Sequence, residues 1–490
     1  MKELQKPSLL FALIPVVFLI IFLTANVLIF GDTTLEGSNQ IILLLSAALT
    51  SLLAFRHRIR WQEISDSIVK SISKAMPAIL ILLLIGSLAG TWLLSGVVPA
   101  MIYYGLKIIH PKVFLLTALV VSGLVSLATG SSWSTIATIG VALLGIGKAL
   151  GFHEGLIAGA IISGAYFGDK MSPLSDTTNL APAVAGTDLF THIRYMVITT
   201  GPSISLTLVI FLVIGFLYKF HDGATHIEGV ISAVQNGFYI SPILLIVPLL
   251  LVIVIILKVP PLPSLMIGTL LGGVFAVIFQ PNIIKDLSGI SANYLIQSYT
   301  SFMKAMFGTI SISSDNEMVS ELFSTDGMRG LLDTVWLILS AMIFGGTMDA
   351  AGFLKRITEA IMSRVKTTGS LIFSTIFTSI FFNITASDQY ISIVVPGRMY
   401  ARTYRERGLK PEVLSRTLED GGTITSVLVP WNTCGATQSK VLGVSTWTYI
   451  PYCFFNLVNP LVAIVIGYLG YKIRRINPDE ELYEAQERDI

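Results

Sequence analysis

Long apolar segments separated by short polar ones run along almost the whole chain. Examples are Leu9–Phe30, 79–94 and 457–468. Several segments reach the roughly 20 residues that an α-helix needs to cross a bilayer. The first one follows Lys2 and Lys6, as the core of a signal peptide would, but it is too long and lacks a small-residue cleavage site. The pattern therefore predicts an all-α polytopic membrane protein whose first span lies near the N-terminus.

Hydropathy and helix breakers together predict fourteen membrane segments, two of which contain an internal break at a proline. The segments are 8–30, 40–55, 75–97, 112–128, 133–150, 154–190, 195–218, 238–257, 262–280, 332–352, 369–384, 387–402, 418–444 and 447–471. Two pairs, 112–128 with 133–150 and 369–384 with 387–402, are either two full spans each or re-entrant hairpins.

Basic residues concentrate in every second connection. The connections 56–74 and 353–368 are rich in lysine and arginine, as are the stretch after residue 397 and the C-terminal tail. The loop 31–39 has neither residue, and 311–328 is acidic. Because cytoplasmic loops carry the excess of lysine and arginine, we expect the N- and C-termini in the cytoplasm.

The two halves of the chain resemble one another at a nearly constant spacing. Pairs 256 residues apart are Gly90 with Gly346, Thr91 with Thr347, Gly96 with Gly352, Thr129 with Thr385 and Ser131 with Ser387, while Pro173 and Pro430 are 257 apart. Each half holds seven segments, an odd number, so the halves enter the membrane from opposite sides. We therefore predict an inverted repeat: a first repeat at 1–230, a second at 231–475, and a cytoplasmic tail at 476–490.

Polar residues gather at four places that this alignment relates. Two are the tips between paired segments, 129–134 and 383–388, and two are broken helices, 168–179 and 430–437. A carboxylate at the bilayer centre costs about 2.5–3.5 kcal/mol on insertion scales. Irregular polar backbone at this depth is tolerated only inside protein or beside a water-filled cavity. Paired breaks at corresponding positions are typical of a transporter's substrate site near the midplane.

Oxygen-bearing side chains at these breaks are the candidates for binding a cation. For the hydroxyl and amide groups, ordinary hydrogen bonding between helices is the alternative. The candidate ion- and proton-binding residues are Asp169, Asp176, Asp388, Ser172, Ser175, Thr177, Asn179, Ser131, Ser132, Asn383, Thr385, Asn432 and Thr433. The candidate Na⁺ ligands among them are Asp169, Asp388, Asn432 and Thr433.

Each candidate carboxylate also has a structural alternative. Asp169 can pair with Lys170, the only basic residue close to a break, and Lys170 can equally neutralise Asp176. Asp176 and Asp388 precede segments where a helix can start, and aspartate is a favoured N-cap. As an ion site, Asp169 would bind Na⁺ when ionised and H⁺ when neutral, so that the two cations compete for one charge.

The remaining ionisable residues predict structure rather than chemistry. Glu419 and Asp420 begin the segment 418–444, where acids suit the positive end of a helix dipole. The histidines fall at predicted helix ends or loops, and we expect them at the surface: His57, His110, His153, His192, His221 and His226. The only long exposed segment, 281–331, is expected to include an amphipathic surface helix.

Composition supports a membrane protein and narrows its function. The chain is 53% hydrophobic and 13% charged, whereas soluble domains carry about 25% charged residues. A net charge of +2 argues against a nucleic-acid partner. No HExxH, GxSxG or P-loop motif is present, so we do not expect an enzyme. The expected partners are the lipid bilayer and the transported Na⁺ and H⁺, with no cofactor.

At these residues the chain resembles the NhaC-type sodium/proton antiporter family. The resemblance rests on GDKMSPLSDTTNL at 168–180, on DQY at 388–390 followed by PGRMY at 396–400, and on EDGGT at 419–423 leading to PWNTCG at 430–435. It covers most of the chain, and the long motifs are specific.

The resemblance implies a bacterial inner-membrane protein that exchanges external H⁺ for internal Na⁺. It also implies membership of the broader ion transporter superfamily, with inverted repeats, re-entrant hairpins and elevator-type movement of a transport domain. Dimers are common in that superfamily, so a homodimer is a further expectation. The same family contains exchangers that couple Na⁺ and H⁺ to organic anions such as malate and lactate, and the residues do not separate the two functions.

Overall fold

The computed structural model describes residues 7–30, 34, 36–218, 223–312, 320, 323–363 and 365–476. Within these residues the chain is almost entirely helical, as the sequence predicted. Its one described sheet is a two-stranded antiparallel ribbon of β1 (Ile310–Ser311) and β2 (Ser324–Thr325), in which Ile310 pairs with Thr325. The predicted tail 476–490 lies outside the described residues except for its first residue.

The α-helices, numbered along the chain, are α1 Leu9–Phe30, α2 Ser38–Arg56, α3 Trp61–Leu94, α4 Val97–Ile108, α5 Phe114–Thr129, α6 Ser132–Thr135, α7 Val141–Ala149, α8 Glu154–Met171, α9 Asp176–Ala185, α10 Leu189–Leu217, α11 Gly223–Gly237, α12 Ile246–Ile256, α13 Pro261–Phe279, α14 Pro281–Ser288, α15 Tyr294–Phe307, α16 Leu332–Ala350, α17 Phe353–Met362, α18 Thr368–Thr385, α19 Gln389–Glu406, α20 Pro411–Leu418, α21 Ile424–Ser426, α22 Thr433–Leu442, α23 Thr446–Tyr449 and α24 Phe454–Leu469. Two π-helical turns are Ile136–Gly140 and Glu419–Thr423. The 3₁₀ turns are Pro111–Val113, Pro242–Leu245, Arg329–Leu331 and Ile450–Tyr452.

Nine helices in the described residues are long and apolar enough to cross a bilayer. Two bent pairs raise the number to eleven: Glu228–Gly237 with Pro242–Ile256, bent by 90°, and Thr446–Tyr452 with Phe454–Leu469, bent by 55°. The other three predicted segments are also helical, as α8, as α19 and as the run from α20 to α22. They are too short or too highly charged to count as apolar spans: α8 carries Glu154, Asp169 and Lys170, and α19 carries three arginines and Glu406.

Two predicted connections are helical instead, which corrects the sequence prediction. The helix α3 begins at Trp61, so Lys70 and Lys74 of the connection 56–74 lie on it. The helix α17 occupies most of the connection 353–368. Hydropathy marks where a helix leaves apolar surroundings, whereas backbone hydrogen bonding continues past that point wherever helix formers follow.

Most described residues of the segment 281–331 are exposed or half-buried, and one face of α15 packs against α3. A Cβ atom on Gly90 of α3 would lie 1.8 Å from the carbonyl oxygen of Ala305 in α15. The hydroxyl of Ser87, one turn earlier in α3, donates to the carbonyl oxygen of Met306 at 3.1 Å. Glycine at position 90 thus permits a backbone contact that a larger residue would prevent.

Small residues place α8 at the centre of one core. A Cβ atom on Gly168 would lie 2.3 Å from the carbonyl oxygen of Gly123 in α5. On the earlier part of α8, a Cβ atom on Gly159 would lie 2.4 Å from the carbonyl oxygen of Tyr452. Close approach through small residues is the usual way in which membrane helices pack. The last turn of α8, where the first break begins, is therefore held firmly against α5.

Helix ends recur at the spacing of the internal repeat. Gly96 and Gly352 both precede a helix with left-handed φ angles of 76° and 69°. Gly186 and Gly443 both follow ten-residue helices, α9 and α22, with φ angles of 86° and 65°. Glycine adopts this conformation without steric cost, which explains its recurrence at these ends. That the halves are related by inversion stays a prediction.

Candidate functional site

Residues from all four predicted breaks line a cavity of about 930 Å³. Its wall includes the tip between α5 and α6, the break between α8 and α9, the start of α19 and the start of α22. The helix α3 and the connection between α12 and α13 form the rest of the wall. The site candidates on the wall are Ser131, Asp169, Ser175, Asp176, Thr177, Asp388 and Thr433.

Asp169 lies in the last turn of α8 and is only 7% exposed. Its Oδ2 atom accepts hydrogen bonds from the backbone N–H of Ser132 at 3.1 Å and from the Ser132 hydroxyl at 2.6 Å. Ser132 is the first residue of α6, where backbone N–H groups have no partner within the helix and attract negative charge. Gly130, with a φ angle of 71°, turns the chain at this tip and brings it against Leu174 of the first break.

Asp388 is the N-cap of α19 and is 3% exposed. Its Oδ1 atom accepts from the backbone N–H of Ile391 at 2.9 Å, which is the capping role that the sequence left open. The same side chain also belongs to the cavity wall, which it shares with Lys74. Beside it, the carbonyl oxygen of Ser387 accepts from the backbone N–H of Thr433 at 3.0 Å. The second tip and the second break are therefore in direct contact.

Ser175, and not Asp176, is the N-cap of α9, which corrects the expected cap. The hydroxyl oxygen of Ser175 accepts from the backbone N–H of Thr178 at 3.5 Å and lies 3.2 Å from the hydroxyl of Thr177. Asp176 is the first residue of the helix, is exposed, and lies on the cavity wall. Asn432, 257 residues after Ser175, caps α22 in the same way.

Six candidates are not part of the cavity wall: Ser132, Ser172, Asn179, Asn383, Thr385 and Asn432. Apart from Ser132, each donates to a backbone carbonyl oxygen. The two asparagines are the most connected, since Asn432 Nδ2 lies 3.1 Å from both O and Oδ1 of Asn383. Asn383 Nδ2 in turn donates to the carbonyl oxygen of Gly422 at 2.7 Å. These amides join the second tip to the second break.

A second polar cluster, which the sequence did not predict, lies behind Asp169. Lys170 is fully buried and forms an ion pair with Asp420 of the π-helical turn. Asp420 Oδ1 also accepts from the Thr199 hydroxyl at 3.1 Å and from Asn459 Nδ2 at 2.7 Å. Arg416 Nε lies 3.7 Å from Asp420 Oδ2. The pairing of Lys170 with Asp169 or Asp176 was therefore a wrong prediction.

The acids at the start of the segment 418–444 were also wrongly placed. Glu419 and Asp420 do not begin a helix, since α20 begins at Pro411 and the π-helical turn continues it. Both acids are fully buried. The available signal was the spacing of Arg416 and Asp420, four residues apart on one helix face, which suits an ion pair.

His192 likewise differs from the expected surface position. Its side chain is fully buried, and Nδ1 lies 2.7 Å from the hydroxyl of Ser415. The sequence placed it at a helix end, which is correct, but that end of α10 packs against α20. Burial of a helix terminus by a neighbouring element cannot be seen in local hydropathy.

Comparison with known proteins agrees with this architecture. A family model described as the Na⁺/H⁺ antiporter family matches residues 6–165 and 164–471. The malate-2H⁺/Na⁺-lactate antiporter of Bacillus subtilis (strain 168) is 36% identical over 471 residues, which are 96% of each chain. The Na⁺/H⁺ antiporter NhaC of the same organism is 35% identical over 436 residues, 89% of this chain and 93% of NhaC. The arginine/ornithine antiporter ArcD of Halobacterium salinarum is 32% identical over 486 residues, 98% and 96% of the two chains.

Proposed function

The chain belongs to the Na⁺/H⁺ antiporter family, of the NhaC type, and we propose that it exchanges Na⁺ for H⁺ across the bacterial inner membrane. It is a multi-pass transporter and not an enzyme. The observation that carries the proposal is the position of Asp169: a buried carboxylate on the wall of a cavity formed at four helix breaks. Ionisable groups inside membrane segments are rare and typical of ion pathways.

The proposed exchange uses one carboxylate for two cations. Ser132 donates both of its hydrogen bonds to Oδ2 of Asp169, and the hydroxyl of Ser175 also interacts with this carboxylate. Hydroxyl oxygens of Ser131, Ser175 and Thr433 on the same wall, with the carboxylate of Asp388, supply further hard ligands for Na⁺. Burying an uncompensated charge in a low-dielectric interior has a large free-energy cost. Either Na⁺ or H⁺ neutralises Asp169. The part of the protein that carries the site therefore crosses the membrane interior only when one of the two cations is bound.

The direction in which the cavity opens follows from the distribution of positive charge. Lys74 lies on α3 in the basic stretch 56–74, which the positive-inside pattern assigns to the cytoplasm. Lys258 lies between the predicted segments 238–257 and 262–280, and counting segments from a cytoplasmic N-terminus places it on the same side. We therefore propose an inward-open state, with both termini in the cytoplasm. Alternation would come from two inverted halves, which the recurring helix ends support, and from elevator-type movement in a homodimer.

A second candidate function is exchange of organic anions coupled to Na⁺ and H⁺. Two cations, Lys74 and Lys258, lie on the cavity wall and can bind a carboxylate. Ligand pockets of roughly 300–1,000 Å³ hold organic molecules, and this cavity of about 930 Å³ is far larger than one ion requires. The names of two relatives include organic substrates, namely malate with lactate, and arginine with ornithine.

One transport assay separates the two functions. The protein is reconstituted in liposomes with an imposed pH gradient, and Na⁺, Li⁺ or K⁺ is added alone and then with malate or lactate. Collapse of the gradient by Na⁺ alone supports the Na⁺/H⁺ antiporter. A strict requirement for the organic anion rejects it and selects the second candidate. In that case the double variant Lys74→Gln, Lys258→Gln should abolish the anion-dependent flux.

A further inference from the structure

Glu419 is a fully buried carboxyl group without a hydrogen-bonding partner among the described residues. Its side chain is 0% exposed, and neither Oε1 nor Oε2 is hydrogen-bonded there. A buried ionised carboxylate without such bonds is strongly destabilised unless positive charge lies nearby, whereas a protonated carboxyl group costs much less. Glu419 is therefore a group whose protonation depends on the charges around it.

The turn that carries Glu419 is tightly enclosed. It is a π-helical turn, a type that often occurs at functional sites because it inserts one extra residue into a helix. A Cβ atom on Gly421 would lie 2.9 Å from the backbone of Ile376 in α18. A Cβ atom on Gly422 would lie 2.9 Å from the hydroxyl of Ser392 in α19. The glycines let both helices pack closely against the turn that carries the carboxyl group.

The buried charges around Glu419 can be counted. Lys170 and Arg416 are positive, Asp420 is negative, and all three are fully buried. Asp169, which precedes Lys170 in the chain, adds a second negative charge when it is ionised. The four charges sum to zero, so a protonated Glu419 completes a neutral set. Asp388 and Lys74 on the cavity wall offset one another and do not change the count.

The other ionisable groups on the surrounding helices have partners elsewhere or reach solvent. The Tyr400 hydroxyl is bonded to Thr378, and the carboxylate of Glu412 is paired with Arg474. His192 is bonded to Ser415. The buried Tyr404 hydroxyl is bonded to Thr375. The exposed groups on these helices are Asp176, Tyr390, Arg398, Arg402, Arg405, Glu406 and Tyr468. The electrostatic charge around Glu419 is therefore set mainly by Lys170, Arg416, Asp420 and Asp169.

We propose that Glu419 is a second proton-binding residue, separate from the cation cavity, which releases its proton when Na⁺ binds at Asp169. This inference rests on the proposed Na⁺/H⁺ exchange. Na⁺ at Asp169 adds one positive charge to the neutral set, and loss of the proton from Glu419 restores neutrality. The carboxyl O–H bond breaks, the proton passes to water, and no electrons are transferred. Asp169 is joined to this cluster through the chain, because the next residue, Lys170, is the ion-pair partner of Asp420, which follows Glu419.

The test measures protons released per Na⁺ bound by the purified full-length protein. Release is followed with a pH-sensitive dye in weakly buffered detergent solution, and binding is followed with radioactive Na⁺. In the Glu419→Gln variant, whose side chain imitates the protonated acid, Na⁺ should still bind, but more weakly than in wild type at a pH where wild type releases the proton, because the two binding events are linked. At a pH where Asp169 is ionised before Na⁺ binds, proton release per Na⁺ should fall to near zero, because Glu419 is then the group that loses the proton.

Two further variants make the test specific. Glu412→Gln is the matched control, since Glu412 is a buried acid on the same helix but is paired with Arg474; its proton release should equal that of wild type. Glu419→Asp keeps a titratable group and should recover proton release with a changed pH dependence. If Glu419→Gln does not fold, an unchanged pH dependence of proton release in Glu419→Asp overturns the inference.

The remaining outcomes are distinct. Wild-type proton release per Na⁺ in Glu419→Gln overturns the inference. An affinity for Na⁺ that stays below wild type at a pH low enough for Glu419 to keep its proton also overturns it, because Glu419 would then be a cation ligand. If the wild-type protein itself neither binds Na⁺ nor releases protons, it is the proposed function that fails, and the variants play no part in that conclusion.

Discussion

Ser132 donates two hydrogen bonds to one oxygen of Asp169, from its backbone N–H at 3.1 Å and from its hydroxyl at 2.6 Å. The contact joins the tip between α5 and α6 to the last turn of α8. Hydrogen bonds to a charged acceptor are stronger than neutral ones, so they fix the orientation of the carboxylate on the cavity wall.

Replacement of Asp169 by asparagine should reduce Na⁺-dependent collapse of a pH gradient to the background rate. The amide retains the shape of the side chain but can neither bind a proton nor offer a negative charge to Na⁺. The measurement is fluorescence of a trapped pH dye in proteoliposomes. Asp349→Asn is the matched control, because Asp349 is an exposed acid on α16 that is not part of the cavity wall. Normal exchange by the Asp169→Asn variant would rule out this ion site.

Ser132→Ala removes the 2.6 Å hydroxyl bond but retains the backbone bond. A hydrogen bond to a charged group contributes about 1.5–3 kcal/mol, so the KM for Na⁺ should rise by roughly tenfold to a hundredfold at fixed pH. The reason is that the ionised carboxylate, the form that binds Na⁺, loses stabilisation relative to the protonated form. Ser122→Ala, which truncates a buried hydroxyl of α5 without a described partner, serves as control. Equal KM values for the two variants would contradict the role of Ser132.

Gly168→Ala should force α5 and α8 apart. The added Cβ atom would lie 2.3 Å from the carbonyl oxygen of Gly123, a backbone atom that cannot rotate away. Overpacking of this kind costs about 1–3 kcal/mol of the free energy of unfolding, and it separates Asp169 from Ser132. Thermal unfolding and Na⁺/H⁺ exchange should therefore both be impaired. Gly201→Ala should be tolerated, because the nearest atom to its Cβ would be 3.9 Å away.

Lys170→Met should destabilise the protein by about 3–5 kcal/mol, because it removes the closer ion-pair partner of the buried Asp420 carboxylate and leaves only Arg416, at 3.7 Å. The double variant Lys170→Met, Asp420→Asn removes both charges and should recover more than half of that loss. A double-mutant cycle on the denaturant midpoint gives the interaction energy. Additive effects of the two substitutions would show that the ion pair makes no net contribution.

Apparent affinity for Na⁺ should increase with pH. A proton and Na⁺ compete for Asp169, so a lower proton concentration frees the carboxylate and lowers the KM for Na⁺. Where the proton occupies most of the sites, each unit of pH should lower the KM by about tenfold. The maximal rate should change less than the KM. Initial rates measured at saturating and sub-saturating Na⁺ between pH 6.5 and 8.5 test this, and a KM that does not vary with pH would exclude competition at one site.

Local pattern was sufficient to predict the helices and their breaks. Apolar runs such as Leu9–Phe30 must be helical in a bilayer, because every backbone group needs an internal partner there. Glycine and proline at recurring positions marked where helices end, as at Gly96 and Gly352. The sequence erred at Trp61, where α3 begins well before its apolar part, because helical hydrogen bonding does not require apolar side chains.

The sequence by itself determined which residues are candidates for ion binding, since polar groups at a helix break are visible as local composition. Only the tertiary structure decided which of them line the cavity, as Asp169 does, and which bond protein groups, as Asn432 does. It also paired Lys170 with Asp420, residues that lie 250 positions apart. The physical reason is that a side chain's partner depends on which helices pack together, and the partners that satisfy a buried charge come from distant segments.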